Sequence, residues 1–517
     1  MKQIIITEYI INLVVLLVFH MHMFQLNSYF FKKQLHWIKN NYKKIVLQIL
    51  LIAFPTLLLT FNNVTTSIIA IIFLALSIFY NIPKKKAKIP FKLTNRVKRM
   101  FITEILLILL IFIIANSTNL IFIKLCILNI LSPIIALIAN FINSPIELLG
   151  KRYYINQAKK ILKDMPNLLV IGVTGSYGKT SVKNFLAKTL SSKYEVLVTP
   201  KNYNTTMGVV KTIRENLKPF HQIFICEMGA THIGDIKEIC DIVEPKIGII
   251  TAIGPQHLES FKSIDNIIKT KFELMDSVTK NNGITFLNYN NEYLAKQDLN
   301  KNKNILTYGV DNENLDYNSF NLTSSSRGLS FTLSSNKSKE KLEFKTKLIG
   351  KHNVINLTGA IGVANYLGIP LNKIINSVRE IKNVEHRLEL IPHGNLNIID
   401  DSYNSNPISS KSALDTLAEF EGTKIIVTPG LIELGKDEEK YNFELGKYMV
   451  NICDYIFLVN SKSSKYILEG INSMNFNEGK IFIVNTPQEA MQHISQLTIN
   501  NKVTVLLEND LPDNYNI

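Results

Sequence analysis

A glycine-rich turn carries the clearest chemistry in the chain. Residues 172–181 are Gly-Val-Thr-Gly-Ser-Tyr-Gly-Lys-Thr-Ser, after the apolar run 168–171 and before the helix-like segment 182–190. The order of strand, turn and helix aims backbone N–H groups and a helix N-terminus at one point, which favours a phosphate there. Lys179 adds a positive charge for the terminal phosphates, and the Thr180 hydroxyl is suited to hold Mg²⁺. The segment therefore predicts a nucleoside triphosphate site.

The turn departs from the strict phosphate-loop pattern, which would need a glycine at the position of Val173. The nearest glycines are Gly172 and Gly175. A glycine-rich turn of some other α/β protein is the alternative interpretation. The adjacent Gly-Lys-Thr sequence and its position between strand and helix favour the phosphate site.

The elements around this turn predict a parallel sheet. From residue 160 to about 384, short β-branched runs alternate with longer amphipathic segments. Three apolar runs predict buried strands: residues 223–227, 247–253 and 284–288. Ligands of such sheets lie beyond the carboxyl ends of the strands, so Glu227 and His257, which follow two of the runs, are candidate ligands. Taken alone, Glu227 is as well explained as a surface acid and His257 as a loop or core histidine.

An insertion and a second α/β block follow. Residues 311–341 are rich in Asn, Ser and Lys, which predicts a solvated insertion without chemistry, with a hairpin around 327–333 and 342–346. The second block begins near Arg387, and five strands are predicted in it: residues 396–400, 424–428, 455–459, 480–484 and 503–507. Its first turn is poor in glycine, which argues against a dinucleotide-binding domain.

The first 145 or so of the 517 residues are dominated by Ile, Leu, Phe and Val. Five apolar segments predict transmembrane helices: residues 4–24, 45–61, 64–82, 101–115 and 120–142. The linkers 25–44 and 83–100 carry five and eight Lys or Arg residues, whereas the turns at 62–63 and 116–119 carry none. The positive-inside rule then places both linkers, and everything after the fifth segment, in the cytoplasm. The basic connectors disfavour the alternatives of a cleaved signal peptide or a buried helical core.

Composition argues against two other classes of function. The formal charge is +15, but thirteen of the 57 basic residues lie in the two linkers, where attraction to anionic lipid explains them. Nucleic acid is therefore not an expected partner. The four cysteines show no paired spacing, so neither a disulfide framework nor a zinc site is expected.

Eight motifs in one order make the chain resemble the Mur ligase family over about residues 165–517. The glycine-rich turn has the family's T-G-x-x-G-K-[ST] form at 174–180, which accounts for its departure from the strict pattern. The other seven are Asn-Tyr-Asn-Thr-Thr-Met-Gly at 202–208, Glu-Met-Gly at 227–229, His-Leu-Glu at 257–259, Thr-Lys-Phe-Glu at 270–273, Gly-Lys-His-Asn-Val-Ile-Asn at 350–356, Glu-His-Arg-Leu-Glu at 385–389 and Asp-Ser-Tyr-Asn-Ser-Asn-Pro at 401–407. The last motif, with Gly-Leu-Ile-Glu-Leu-Gly at 430–435, resembles the branch that joins D-alanyl-D-alanine to a UDP-N-acetylmuramoyl-tripeptide.

The resemblance implies a fold class and a reaction. The fold would be a P-loop-type central domain with a mainly parallel sheet (160–385) and a C-terminal Rossmann-like α/β domain (386–517), preceded by the α-helical transmembrane region (1–150) that the apolar segments predict. The reaction would be ATP-dependent: a carboxylate is activated as an acyl phosphate and joined to an amino acid or dipeptide in peptidoglycan precursor synthesis. ATP and Mg²⁺ are the implied cofactors. The apolar segments and basic linkers predict the location, which is the bacterial inner membrane, as a multi-pass protein with its catalytic domains in the cytoplasm.

The resemblance also implies roles for individual residues. The catalytic set is Lys179, Lys271 in carbamoylated form, and His257, and the metal ligands are Thr180, Glu227 and His257. The nucleotide-binding set is Gly175, Ser176, Gly178, Lys179, Thr180, Ser181, Asn353, Asn356, Arg387 and Asp401. The substrate-binding set is Asn204, Thr206, Tyr403, Asn404 and Asn406. A solvated helix lysine remains the alternative for Lys271, and a helix cap the alternative for Asn353.

Several partners and functions stay open at this point. The apolar segments stand where the family has a domain for the uridine diphosphate end of its precursor, so a UDP-linked and a lipid-linked precursor are both open, with the bilayer as a further partner. A related ligase of another polymer, such as poly-γ-glutamate, is one alternative, and a degenerate ligase that only binds is another. An ATP-driven membrane transport or assembly factor would need charged residues in its spans, where Glu104 and Lys124 are nearly alone.

Overall fold

The computed structural model describes residues 1–82, 90–114, 121–297, 304–336, 340–403, 405–459, 463–497 and 501–509. The chain divides into two compact units, the first within Met1–Tyr153 and the second within Tyr154–Asp510. Residues 83–89 of the predicted basic linker and all of the turn 116–119 lie outside the described residues. Each unit is described separately below.

The first unit is helical. Its helices are α1 (Lys2–Leu26), α2 (Phe31–Asn40), α3 (Tyr42–Leu58), α4 (Val64–Asn81), α5 (Asn95–Ile114), α6 (Ile121–Ile130) and α7 (Ser132–Lys163), with a 3₁₀ turn at Leu59–Phe61. Four helical segments of the described chain are long and apolar enough to cross a membrane, by length and composition only: Lys2–Leu26, Tyr42–Phe61, Val64–Asn81 and Ser132–Lys163.

The last two predicted spans differ from the helices that form. Residues 101–114 of the fourth predicted span lie in α5, which contains the charged residues Arg96, Lys98, Arg99 and Glu104 and is not among the four candidate spans. The segment 120–142 is divided between α6 and α7. The apolar pattern therefore located the helices but not their ends, because hydropathy does not register a break between two apolar helices.

The second unit begins with a nine-stranded sheet, here called the central lobe. Its strands are β1 (Leu169–Thr174), β2 (Val196–Val198), β3 (Ile223–Glu227), β4 (Ile247–Ile250), β5 (Ile284–Asn288), β6 (Ile305–Val310), β7 (Tyr317–Ser325), β8 (Gly328–Ser335) and β9 (Lys341–Thr346). The order is β2-β3-β1-β4-β5-β6-β7-β8-β9. Pairing is parallel as far as β7, and β8 and β9 are antiparallel to their neighbours.

Eight helices connect or cover these strands: α8 (Lys179–Leu190), α9 (Thr206–Asn216), α10 (Asp235–Val243), α11 (Leu258–Phe261), α12 (Ile264–Lys280), α13 (Glu292–Ala295), α14 (His352–Tyr366) and α15 (Leu371–Arg379). Because neighbouring strands from β2 to β6 run in parallel, their carboxyl ends meet at one edge of the sheet. That edge carries the glycine-rich turn after β1 and Glu227 at the end of β3.

The prediction of a solvated insertion at 311–341 is wrong. The predicted hairpin is present as β8 and β9, but these strands and β7 continue the main sheet, and β8 alternates partly buried with buried residues. Leu329, Phe331 and Phe344 are almost fully buried in the same core as α14. The error came from composition: Asn, Ser and Lys occupy the solvent-facing positions of a period-two strand and hid the apolar ones between them.

The second sheet, here called the C-terminal lobe, has six strands: β10 (Glu389–His393), β11 (Leu396–Asp401), β12 (Thr423–Thr428), β13 (Tyr455–Val459), β14 (Ile481–Val484) and β15 (Val503–Glu508). Their order is β10-β11-β15-β12-β13-β14, with only β10 antiparallel among these strands. The helices are α16 (Pro407–Ala418), α17 (Glu438–Val450), α18 (Ser464–Asn472) and α19 (Pro487–Gln496), with 3₁₀ turns at Gly435–Asp437 and Glu478–Lys480.

Two glycines let α17 and α18 approach closely. A Cβ on Gly446 would lie 2.2 Å from the carbonyl oxygen of Ile467, and one on Gly470 would lie 2.1 Å from that of Phe443. Each glycine thus faces the backbone of the other helix at a distance that no side chain permits.

All four cysteines are buried and unpaired: Cys126, Cys226, Cys240 and Cys453. Burial raises the pKa of the Cys226 and Cys453 thiols well above the usual value.

Candidate active site

The glycine-rich turn between β1 and α8 requires glycine at two positions. Gly175 has a φ of +152°, and a Cβ there would lie 2.1 Å from Thr251 Oγ1. Gly178 has a φ of +82° and precedes α8, and a Cβ there would lie 2.8 Å from Asn356 Oδ1. Both positions combine a backbone conformation that favours glycine with a close neighbour.

The residues after β4 fasten this turn. Ser176 donates its backbone N–H to the Ala252 carbonyl at 2.7 Å, and its hydroxyl donates to the Gly254 carbonyl at 3.1 Å. The Gly254 N–H in turn donates to the Ser176 hydroxyl at 3.1 Å. The turn is therefore held in one conformation from its β4 side.

Lys179 opens α8 and folds back over the turn. Its ammonium donates to the carbonyls of Gly175 at 2.7 Å and Ser176 at 3.0 Å. Desolvation lowers the pKa of Lys179 to about 8, Glu227 opposes the shift, and Arg387 adds to it. Thr180 and Ser181 follow Lys179 in the first turn of α8, where unpaired N–H groups favour an anion.

Glu227 joins three elements of the central lobe. Its Oε1 accepts from the Thr180 hydroxyl at 3.2 Å and from the Asn204 amide at 3.0 Å. Its Oε2 is buried, lies 3.1 Å from the ammonium of Lys183, and accepts no hydrogen bond in the described part of the chain. Hydroxyl and carboxylate oxygens are ligands that Mg²⁺ prefers, and an oxygen without a hydrogen-bond donor has lone pairs to offer, so these residues fit a magnesium ion.

Lys183 is a buried neighbour of Glu227 that the sequence motifs did not single out. Its side chain is 2% exposed, and its ammonium donates to the carbonyls of Thr199 at 2.9 Å and Lys201 at 2.8 Å. The signal was present in the sequence, because Lys183 lies four residues after Lys179 and therefore on the same face of α8.

Lys271 lies buried in α12, with 3% of its surface exposed. Desolvation, together with repulsion from Lys179, lowers the pKa of Lys271 well below its usual value. The alternative of a solvated helix lysine is therefore excluded. The influence of Lys179 also places this side chain near the glycine-rich turn.

His257 precedes α11, in the segment that follows β4. Its Nδ1 lies 2.5 Å from Oε2 of Glu433, which belongs to the C-terminal lobe. The structure thus places a predicted metal ligand of one lobe against a carboxylate of the other. Glu433 lies in the segment 430–435 that the sequence analysis singled out without giving it a role.

Arg387, Tyr403 and Asp401 lie together where the chain enters the C-terminal lobe. The Arg387 guanidinium lies over the Tyr403 ring, 4.4 Å from its centre. Asp401 ends β11 and accepts the Leu388 N–H at 3.2 Å. Burial raises the pKa of Asp401 to about 7, although Arg387 opposes the shift.

The remaining predicted residues make mostly structural contacts. Asn353 donates its amide to the Ile349 carbonyl at 2.8 Å, so it lies inside α14 rather than capping it. The Thr206 hydroxyl donates to Glu238 at 2.5 Å. Asn406 caps α16 by accepting from the N–H groups of Ile408 and Ser409 at 3.0 Å. Asn404 lies outside the described residues.

A cavity of about 480 Å³ lies elsewhere in the central lobe. Leu169 and Ile223, the first residues of β1 and β3, line it together with Tyr194 and Phe220. It therefore opens at the amino ends of the strands and contains none of the predicted site residues.

Two family descriptions match the chain. The Mur ligase middle domain matches residues 173–364, and the Mur ligase glutamate ligase domain matches residues 386–507. Among curated proteins, the chain is similar to the UDP-N-acetylmuramoyl-tripeptide–D-alanyl-D-alanine ligase of Haemophilus influenzae. The two are 30% identical over 368 residues, which are 69% of this chain and 77% of that protein.

Solved structures of ligases from the same branch also match. A crystal structure of MurF from Acinetobacter baumannii has a TM-score of 0.64 and 26% identity, and the match covers 71% of this chain and 78% of that one. MurF from Thermotoga maritima in complex with ADP has a TM-score of 0.62 and 24% identity, over 70% of this chain and 80% of that one. At that identity the second match shows the fold alone.

The comparisons contradict the predicted localisation. The relatives are named for a UDP-linked precursor, which is a charged and water-soluble substrate. The apolar helices qualify as spans by length and composition alone, and these do not place a helix in a bilayer. The prediction of a multi-pass inner-membrane location is therefore wrong, and the lipid bilayer is not supported as a partner.

Proposed function

Because the chain belongs to the Mur ligase family of ATP-dependent ligases that form carbon–nitrogen bonds, we propose that it joins D-alanyl-D-alanine to a UDP-N-acetylmuramoyl-tripeptide. The product would be the pentapeptide precursor of peptidoglycan. The names of the relatives support both substrates. Their names also favour a UDP-linked precursor over the lipid-linked one that the sequence left open.

One observation carries the proposal. Burial lowers the pKa of Lys179 in the glycine-rich turn, and the positive charge of Arg387, at the entry to the C-terminal lobe, lowers it further. Two cations that act on each other in this way repel, and a polyphosphate between them would remove the repulsion. The arrangement therefore suits ATP whose terminal phosphates lie between the lobes.

The nucleotide would be held by residues of both lobes. Backbone N–H groups from Gly175 to Ser181 would cradle the phosphates, and Asn356 borders the same turn. Asp401 would accept from the ribose hydroxyls. Asn353 is committed to a backbone carbonyl, so its part near the adenine would be to shape the pocket.

Thr180 and Glu227 would hold Mg²⁺, with His257 as a ligand of a second ion. The metal would supply positive charge to the phosphoryl group in transfer. The ammonium of Lys179 serves the same purpose from the protein side. Lys183 keeps Glu227 in place, since its ammonium compensates the carboxylate charge in a buried site.

The reaction would proceed in two steps that balance. A carboxylate oxygen of the tripeptide attacks the terminal phosphorus of ATP, which gives an acyl phosphate and ADP. The free amine of D-alanyl-D-alanine then attacks the acyl carbon, and phosphate leaves with the new amide bond formed and one proton released. The protein contributes positioning and charge stabilisation, and closure of the lobes would exclude water from the acyl phosphate.

The substrate would lie along the same cleft. Asn204 already contacts Glu227, and Tyr403 lies beneath Arg387, so both are near the place of phosphoryl transfer. Thr206 and Asn406 were predicted with them, and their contacts to Glu238 and to α16 make them supports of the cleft wall. Asn404 is kept in the proposed set from the motif alone.

Carbamoylation of Lys271 is part of the proposal. A lowered pKa increases the share of Lys271 in the uncharged form, and the uncharged amine is the form that adds carbon dioxide. The carbamate would be an anion and would turn the repulsion from Lys179 into attraction. Removal of bicarbonate should lower activity, and Lys271→Ala should lose activity and its bicarbonate dependence together.

We also propose that the chain has three functional regions. Residues 160–385 would bind ATP, residues 386–517 would form the lobe that closes over it, and residues 1–150 would form a separate helical region. The two matched family descriptions, at 173–364 and 386–507, support the first two bounds. The first compact unit, within Met1–Tyr153, supports the third.

The test is phosphate release by the purified full-length chain with ATP, Mg²⁺, the UDP-linked tripeptide and D-alanyl-D-alanine. Phosphate and the UDP-linked pentapeptide should appear in equal amounts. Lys179→Ala should lower the rate by at least about 100-fold, since it removes a charge stabilising the transferred phosphoryl. Lys188→Ala, in the same helix but exposed, is the matched control and should behave as wild type.

Two outcomes would overturn the proposal. Release of phosphate without pentapeptide would point to simple ATP hydrolysis. Amide formation with another acid, such as a glutamyl polymer, and none with the UDP-linked tripeptide would favour the related ligases.

A further inference from the structure

The contact between His257 and Glu433 joins the two lobes, and the proposed function gives Glu433 no role. Its two atoms, Nδ1 and Oε2, are 2.5 Å apart. The His257 side chain is 30% exposed and that of Glu433 is 38% exposed, so the contact lies at the rim of the site rather than in a core. The two residues belong to different lobes and are 176 positions apart in the chain.

Both residues have a left-handed backbone. The φ of His257 is +53° and that of Glu433 is +62°. For residues other than glycine, this conformation costs about 1–2 kcal/mol each. Such strain persists only where the surroundings hold it, and it often accompanies function.

Buried neighbours and hydrogen bonds to α17 hold the segment that contains Glu433. Leu431 and Leu434 on either side are 1% and 2% exposed. The Asn442 amide accepts from the Leu431 N–H at 2.8 Å and donates to the Leu431 carbonyl at 2.9 Å. The turn is therefore fastened to α17, and Glu433 projects from a fixed base.

The two ring nitrogens of a neutral imidazole differ, so the contact with Glu433 decides which of them can bind a metal. One ring nitrogen carries the proton and donates, and the other has a lone pair. With Nδ1 donating to Glu433, the lone pair is on Nε2, which is then the atom available as a ligand. Histidines that ligate metals characteristically donate their other N–H to a carboxylate, which fixes the tautomer and the ring orientation.

We propose that Glu433 is a positioning residue for His257: it fixes the Nδ1–H tautomer and leaves Nε2 free for the metal–nucleotide complex. This inference rests on the proposed function, since it refines the place of His257 in that site. Because Glu433 belongs to the C-terminal lobe, His257 is oriented only while that lobe is docked. Docking and completion of the metal site are thereby one event.

Other contacts between the lobes support a docked arrangement. His352 Nδ1 lies 2.7 Å from the Ser412 hydroxyl, and the Ser324 hydroxyl donates to Glu419 at 2.7 Å. These contacts involve neither His257 nor Glu433. They would hold the lobes in register when Glu433 is replaced, so that its substitution tests the side chain rather than the docking.

The experiment compares Glu433→Ala with Glu433→Gln in the full-length chain. Both keep a non-glycine residue at the left-handed position, so the backbone cost is nearly the same. Glutamine can accept the Nδ1–H through its carbonyl oxygen, whereas alanine cannot. Glu439→Ala, an exposed acid at the start of α17, is the matched control.

The first readout is calorimetric binding of Mg²⁺ with the non-hydrolysable analogue β,γ-imido-ATP. Glu433→Ala should weaken metal binding by about 10- to 100-fold, as is typical when the partner of a ligating histidine is lost. Glu433→Gln should stay within about threefold of wild type, and Glu439→Ala should not change it. Unchanged metal binding by Glu433→Ala would overturn the proposal. An equal loss of metal binding in Glu433→Gln and Glu433→Ala would overturn it too, because the charge of Glu433 and not its orientation of His257 would then be the cause.

The second readout needs neither turnover nor metal. Long-range ¹H–¹⁵N correlation spectra of histidine side chains distinguish the tautomers, and His257→Gln identifies the resonance by its loss. Wild type and Glu433→Gln should show Nδ1–H, and Glu433→Ala a mixture. A mixture in wild type would overturn the inference, whereas absence of pentapeptide synthesis would overturn only the proposed function.

Discussion

At the scale of single residues, the site is a set of charges held away from water. Lys183 and Glu227 are each 2% exposed, and the ammonium of Lys183 also bonds two backbone carbonyls. A buried pair of this kind adds little net stability, because desolvation of both ions offsets their attraction. Its value is that Lys183 holds the Glu227 carboxylate in place at the end of a buried strand.

Breaking the pair should be costly. Lys183→Met leaves Glu227 buried without its cation, so we expect a loss of about 3–5 kcal/mol in the free energy of unfolding. Lys188→Met removes an exposed pair with Glu380 in the same helix and should cost less than about 1 kcal/mol. Urea unfolding followed by circular dichroism measures both. Equal midpoints for the two variants would contradict a structural role of the buried pair.

Asp401 should make stability depend on pH. Its pKa is raised from 3.8 to about 7, so between these values the folded chain binds a proton that the unfolded chain has lost. Stability from this group is therefore present below pH 3.8 and is lost as the pH rises towards 7.

Asp401→Asn removes this proton exchange. Relative to wild type, the free energy of unfolding of the variant should rise by about 1.4 kcal/mol per pH unit from pH 3.8 to about 7. Above that range the difference should stay constant. Urea midpoints at pH 5, 6, 7 and 8 measure the difference. A difference that is constant from pH 5 to 7 would show that Asp401 is already ionised in the folded chain.

Residue types and spacing located the triphosphate turn, because its glycines, lysine and threonine are adjacent in sequence. Glu433 could not be given a role in that way. Its partner His257 is far away in the chain, and only the docked lobes bring the two together. For Asn406 the motif was misleading, because it suggested a residue that lines the cleft, whereas Asn406 caps α16. The local signal for the cap was Asn followed by Pro at the start of a helix.

At the scale of elements, the parallel strands deliver the site. The turn after β1 and Glu227 at the end of β3 meet because β1 and β3 pair in parallel, with Val173 opposite Glu227. The strands β3, β5 and β13 were predicted with their observed bounds, since buried parallel strands are continuous apolar runs. The short β2 and the antiparallel β10 were not predicted, because neither is fully buried.

The close approach of α17 and α18 gives an element-scale prediction. Gly446→Ala and Gly470→Ala each place a methyl group against the backbone of the other helix and should cost about 1–3 kcal/mol by overpacking. Gly479→Ala, whose nearest neighbour at 3.3 Å is the Asn477 side chain, should stay within about 0.5 kcal/mol. Urea midpoints distinguish them. Neutral Gly446→Ala and Gly470→Ala would mean that the helices move apart at no cost.

At the scale of the whole molecule, the proposed function depends on the two lobes of the second unit. Glu419 is 16% exposed, accepts from Ser324 at 2.7 Å and lies 3.7 Å from Lys351. It therefore contacts two separate segments of the central lobe. The first unit is a different case: its apolar helices could be found from sequence, but hydropathy did not give their location in the cell.

Glu419→Ala should loosen the docked lobes without unfolding either. Loss of these contacts is worth about 0.5–1.5 kcal/mol, which raises the open fraction by about two- to tenfold. Hydrogen exchange should speed up in peptides that cover residues 323–326 and 349–353. Glu421→Ala, an exposed acid nearby, is the control. Unchanged exchange in Glu419→Ala would show that other contacts suffice to hold the lobes.

The four buried cysteines make the chain well suited to spectroscopy. Thiol reagents react with a thiolate that they can reach. Here burial keeps all four thiols out of reach, and it raises the pKa of Cys226 and Cys453 so that little thiolate forms. A single cysteine introduced on each lobe would thus be labelled against a silent background, with no native residue removed. Spin or fluorescent labels placed in this way could follow the opening of the cleft during turnover in the otherwise unaltered protein.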